Sequence, residues 1–210
     1  MTTLQIAEAL KADILTGRIA PGTELRQVEI AHRFGVSRMP VRDALNLLAA
    51  EKLVRLRPNR GAQVIRFSAE ELAEIYDLRA LLEADCLRRA LPRYSPADLD
   101  TIQREAKRCE AEAGAPSFGE ADWRFHRALY APAGRALQLD LIAELRRACQ
   151  THRAAYDRLR EGEARWSADH RKLVAAVVMG EAALAERVLR EHLCAAGEAL
   201  QAAIRAAEAA

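Results

Sequence analysis

Apolar residues recur at helical spacing from the start of the chain, where Leu4, Ile6, Ala7, Leu10, Ile14 and Leu15 precede a stop at Gly17. Ile19-Ala20-Pro21-Gly22-Thr23 reads as a turn, since proline presets φ and glycine accepts its positive range. A short second helix is expected over 27–34, with Val28, Ile30, Ala31 and Phe34 as its stripe and Gly35 as its end. Ser37 is a good N-cap for a third helix over about 38–51, packed through Val41, Ala44, Leu45 and Leu48. Pro40 falls in the first turn of that helix, where a missing N–H costs little. Two β-like stretches, 53–56 and 62–65, then flank Pro58-Asn59-Arg60-Gly61 and predict a hairpin.

Beyond Ser68 the period is helical throughout, with helices expected near 69–91, 95–112, 117–130, 136–160, 165–179 and 181–207. Ser68, Ser95 and Ser167 suit caps, and breaks fall at Pro92, Gly114-Ala115-Pro116, Pro132-Ala133-Gly134 and Gly162, with a tighter joint at Gly180. The expectation is a mainly α protein with two domains: residues 1–67, three helices and a β-hairpin wing, and residues 68–210, an all-α bundle.

Composition narrows the class. Half the 210 residues are hydrophobic and 30% are charged, too apolar for disorder. No run approaches the roughly 18 apolar residues of a membrane span, and no secretory leader is evident, so a cytoplasmic protein is expected. Cys86, Cys109, Cys149 and Cys194 are scattered without a CxxC pair and read as reduced core residues. The net charge of +2 hides an asymmetry: residues 1–66 hold 11 Lys/Arg against 6 Asp/Glu, the remainder 21 against 24. A basic head on a mildly acidic body suits a nucleic-acid-binding module joined to something else.

Three short helices and a hairpin make the winged helix-turn-helix plan, whose third helix enters the major groove. Arg38 and Arg42 are four apart and share one helix face. A guanidinium fork matches the O6/N7 edge of guanine or a phosphate. The segment resembles the GntR family of bacterial regulators through Pro21-Gly22-Thr23-Glu24-Leu25, Phe34-Gly35-Val36-Ser37-Arg38, Pro40-Val41-Arg42, Ala44-Leu45, Leu53-Val54 and Gly61. The resemblance implies operator DNA as partner. Arg38 and Arg42, with Ser37, are then the contacts of the recognition helix, assisted by Arg26 and by Arg60-Gly61 on the wing. Met39 stands where the family more usually has a small polar residue.

In the body, Asp122 and His126 lie one turn apart on one helix, and His170 and His192 sit on two consecutive helices joined at Gly180. Three imidazoles and a carboxylate suit Zn²⁺, with Ni²⁺, Mn²⁺ or Fe²⁺ also compatible. The region resembles the FCD domain that follows the GntR head in the FadR subfamily. Ile75–Ala84, Asp122–Leu129, Asp169–Ala176 and Ala185–Leu193 carry the likeness, and six helices suggest the shorter, VanR-like version. Positions matching Asp122, His126, His170 and His192 are the metal ligands in metal-binding members, and Arg79 is implied as the group that meets a small carboxylate effector, with Glu83 supporting it. The i,i+4 spacing also allows Arg79 and Glu83 to form a buried structural salt bridge instead.

The expectation is a homodimeric, ligand-responsive regulator, a repressor by default, and not an enzyme. The rivals are a metalloenzyme and a constitutive DNA binder with a structural metal. His152 reads as flanking the pocket, His32 as structural, and Trp123, Phe125, Leu129 and Trp166 as tuning pocket size or filling core.

Overall fold

The computed structural model describes residues 1–58, 60–115, 117–155 and 163–209; Asn59, Pro116, residues 156–162 and Ala210 lie outside it, as do the side chains of residues 150–151, 153–155 and 163–165. The expected helix end at 160 and break at Gly162 therefore fall outside the described residues. Two compact units emerge, one holding Met1–Phe67 with a short stretch from Ala148, the other Ser68–Arg147 and Asp157–Ala210.

The first unit runs α1 (Thr3–Leu15), β1 (Glu24–Leu25), α2 (Gln27–Phe34), α3 (Arg38–Ala50), β2 (Val54–Arg57) and β3 (Gly61–Val64). Its core joins Ile6, Leu10 and Ile14 of α1 to Val41, Leu45 and Leu48 of α3, closed by Leu53, Val54 and Val64. Two expected stripe residues, Leu4 and Val28, are instead 62% exposed each, because both stand at the edge of their helix's apolar arc. β1 is an addition to the sequence reading. Two residues are too few to register a period of two, yet the antiparallel sheet has the order β1-β3-β2, with Leu25 opposite Ala62 and Leu56 opposite Ala62 on the other side. Gly61 makes this possible: at φ +115° a Cβ there would lie 2.1 Å from the Leu25 carbonyl oxygen. The close approach that needs glycine is thus to β1, the edge strand beside β3.

The second unit contains α4 (Ala69–Ala90), α5 (Pro96–Ala111), α6 (Phe118–Tyr130), α7 (Ala136–Ala155, whose last residues group with the first unit), α8 (Glu163–Val178) and α9 (Ala182–Glu208). Capping boxes start α4 at Ser68 with Glu71 and α5 at Ser95 with Asp98. Ser167 is no cap: α8 already runs from Glu163, so Ser167 lies buried inside it with its hydroxyl lacking a partner among the described residues. α4 packs along α9, where Gly197 leaves room for Tyr76; a Cβ at 197 would sit 2.8 Å from the ring. Among the described residues no helix is long and apolar enough to cross a membrane.

Candidate nucleic-acid face and metal centre

Ser37 occupies the N-cap of α3 by backbone geometry, with φ −73° and ψ 168°, but its hydroxyl makes no capping bond and is exposed. Arg38 and Arg42 are exposed at the start of α3 and line an open groove of about 710 Å³ with Asn46, Arg57 and Gly61. A neighbouring hollow of about 470 Å³ adds Arg26, Val28 and Arg60 to Arg38. The structure thus gathers the expected basic residues on one face of the first unit, and it adds Arg57. The alternating order Val54-Arg55-Leu56-Arg57 carries the signal for Arg57, which is exposed as that order implies, although Leu56 is exposed as well. Arg26 is partly neutralised by Glu24 at 3.4 Å and Glu29 at 3.3 Å, pairs of little energetic weight at this exposure.

In the second unit α6, α8 and α9 bring Asp122, His126, His170 and His192 together, each buried. Ligand nitrogens of the three histidines lie within 4.8 Å of one another. Asp122 Oδ1 stands 3.5 Å from His170 Nε2 and 3.7 Å from His126 Nε2. Those separations are too long for hydrogen bonds, and they are near the edge, about 3.4 Å, of a tetrahedron with bonds of about 2.1 Å. His126 Nε2, His170 Nε2 and His192 Nδ1 are buried without a hydrogen-bond partner among the described residues. Buried nitrogens left this way are costly unless something else satisfies them. Four donors of hard-to-borderline character at cation-sharing distances fit a divalent metal such as Zn²⁺.

The surroundings hold these groups in place. Glu83, completely buried, accepts from Arg79 Nε at 2.9 Å, Arg146 Nη1 at 2.8 Å and the Tyr130 hydroxyl at 2.7 Å. Arg146 also donates to Asp122 Oδ2 at 2.5 Å, leaving Oδ1 turned to the imidazoles. Burial pushes the Glu83 carboxyl up, but the two guanidiniums outweigh it and hold it below its ordinary value. Burial drives His170 down to about 3, helped by His192, and drives His126 well below the ordinary imidazole value, helped by Arg146. Both rings are therefore neutral and ready as ligands.

Arg79 is found in the i,i+4 pair with Glu83, over the Tyr76 ring at 4.6 Å. Arg146, Tyr130 and Cys109 were not singled out from the sequence. Arg146 shares a stripe with Ile142 and Cys149, so a charge on a buried face was the available signal. Cys109 Sγ lies 3.8 Å from His170 Nδ1, and Cys109, Asp122 and His170 form a second buried group whose ligand atoms lie within 4.8 Å of one another. His152 has no place in the cluster: it accepts the Phe67 N–H at 2.9 Å within the first unit. His32 is exposed on the last turn of α2. Phe125 packs on His170 at 4.6 Å between centroids, Trp123 lies under Arg146, and Trp166 stacks on Phe118.

Comparison with known proteins agrees with both halves. The profile of the bacterial regulatory proteins of the gntR family matches residues 2–64, and that of the FCD domain matches residues 74–195. The gluconate operon transcriptional repressor of Bacillus subtilis (strain 168) is 48% identical over 82 residues, covering 39% of this chain and 33% of its own. The HTH-type transcriptional repressor GlaR of Escherichia coli (strain K12) is 30% identical across 92% of this chain and 93% of its own. A crystal structure of a putative GntR transcriptional regulator from Rhodococcus sp. RHA1 superposes with a TM-score of 0.77 at 23% identity, covering 96% and 98% of the two chains. The chain spans between a third and two thirds of the length of the first three curated relatives it matches.

Proposed function

Because this chain belongs to the GntR family and carries an FCD domain, it is a transcriptional regulator, and we propose that it is a repressor whose grip on operator DNA answers to a small organic acid held beside a divalent metal. In this reading residues 1–67 bind DNA, residues 68–210 sense the acid and dimerise, and no reaction is catalysed.

The observation that carries the reading is the cluster of buried imidazole nitrogens without partners beside Asp122 Oδ1. A divalent cation there supplies a Lewis-acidic centre and two positive charges, most simply as Zn²⁺. Around it Arg79 and Arg146 balance Glu83 and Asp122, His126 and His170 are neutral, and Asp169, 3.7 Å from His192 Nδ1, adds one negative charge, so a dication still leaves an excess of positive charge. A buried excess of positive charge is unfavourable unless an anion joins it. An acid's carboxylate meets that need, and Arg79 and Arg146 are forks of the right shape to orient it. Relatives named as repressors of a gluconate operon put sugar acids in the first set to be tried.

On the head, Arg38 and Arg42 read base edges or phosphates from α3, Ser37 contributes a hydroxyl or backbone contact, and Arg26, Arg57 and Arg60 hold the DNA backbone. Gly61 acts there through the shape of the wing. A homodimer places two heads on half-sites of an operator, and the acid switches binding only if it favours one spacing of those heads.

A thermal-shift screen of organic acids, run with and without Zn²⁺, tests the proposal. A ligand should raise stability in proportion to its occupancy only with metal present, and the same compound should weaken operator binding. Stabilisation by an acid that survives His170→Ala separates effector from metal and refutes it. Turnover of the acid places the protein among enzymes.

A further inference from the structure

We propose that Tyr130 is a positioning residue that fixes the tautomer of His126, so that a bare Nε2 lone pair, rather than an N–H, faces Asp122 and the neighbouring imidazoles. The inference rests on the metal-centre reading above and assigns the group that makes His126 fit to serve there.

Hydrogen-bond direction carries the argument. Glu83 is clamped by Arg79 and Arg146 at 2.9 and 2.8 Å, so it is a carboxylate and can only accept. Tyr130, 2.7 Å from Glu83 Oε2, must then give its one hydroxyl hydrogen to Glu83. The face of that oxygen left for His126 Nδ1, 2.9 Å away, is a lone pair. Nδ1 therefore carries the ring's N–H, and a neutral imidazole has only one. Nε2 is left bare, buried and without a partner among the described residues, 3.7 Å from Asp122 Oδ1.

Were the tautomer reversed, the Nε2–H would point at Asp122 and close the gap as an ordinary hydrogen bond. The pair would then satisfy itself and resist a cation. The relay Glu83–Tyr130–His126 removes that option. It also joins Arg79 to a ligand atom through three side chains, so a carboxylate that draws Arg79 or Arg146 away from Glu83 loosens the same lock. His170 has a different neighbour on its other nitrogen, Cys109 Sγ at 3.8 Å, which is too distant to act as firmly.

The test reads the tautomer directly, in protein stripped of metal and labelled with 15N-histidine, by two-bond 1H–15N correlation. Wild type should show His126 with Nδ1 protonated. Tyr130→Phe keeps the ring and removes the acceptor, and should populate the Nε2–H form and weaken Zn²⁺ binding about 10–100-fold in chelator competition. An Nε2–H ring in wild type, or an unchanged Nδ1–H ring in Tyr130→Phe, overturns the proposal. Failure of wild type to bind Zn²⁺ while the tautomer behaves as described sinks the metal reading and leaves the relay standing.

Discussion

Acidifying the metal-free protein should destabilise it well before its carboxylates titrate. His170 is held down to about 3 in the folded state against 6.5 in an open chain, chiefly by burial. A base with a depressed folded-state pKa adds no penalty above 6.5, where it is neutral in both states. As pH falls below 6.5 the unfolded chain takes up a proton that the folded chain refuses, so stability is lost down to about pH 3. One pH unit is worth about 1.36 kcal/mol per group, so His170 alone removes about 2 kcal/mol between pH 6.5 and pH 5. For a chain of 210 residues that is a fall of about 6 °C in Tm. His126 is shifted in the same direction and adds to it. Glu83 and Asp13, both held below their ordinary values against the opposing pull of burial, lose their stabilisation only at more acid pH. The interval from 6.5 to 5 therefore belongs to the imidazoles. Thermal melts of chelator-treated protein across that interval measure the slope, and His170→Gln should remove its share. A Tm that is flat from pH 7 to 5, or an NMR titration of His170 with a midpoint near 6.5, refutes the reasoning.

Gly61→Ala should destabilise the first unit by about 2 kcal/mol or more, since a side chain at φ +115° is strained and its Cβ meets the Leu25 carbonyl; denaturant unfolding that matches wild type contradicts this. Arg146→Met leaves Glu83 and Asp122 without their shared cation and should cost about 3–5 kcal/mol in metal-free protein, with Zn²⁺ restoring part of the Tm. Arg38→Ala should weaken operator binding by about 1–3 kcal/mol and relax preference at one base if it reads an edge, whereas a uniform loss with a salt slope smaller by about one marks a phosphate contact.

Periodicity and punctuation located the helices because each is long enough to repeat its apolar stripe, and because Ser68, Ser95, Gly35 and Gly134 end segments by local geometry alone. Motif spacing along single helices likewise placed Asp122 with His126 and Arg38 with Arg42. β1 escaped because two residues carry no pattern, and its existence depends on Gly61 some 36 residues later in the chain. Ser167 misled for the converse reason: a good capping residue says where a helix can start, and α8 starts earlier.

What only the tertiary structure decided is which groups meet. That α6, α8 and α9 point four donors at one place, that Arg146 of α7 bridges Glu83 to Asp122, and that Glu83 of α4 meets the Tyr130 hydroxyl of α6 are products of packing between helices distant in sequence. The amino-acid order fixes a face within each helix through the 3.6-residue period, whereas the meeting of faces depends on side-chain volumes and on hydrogen-bond direction across them, which no single helix encodes.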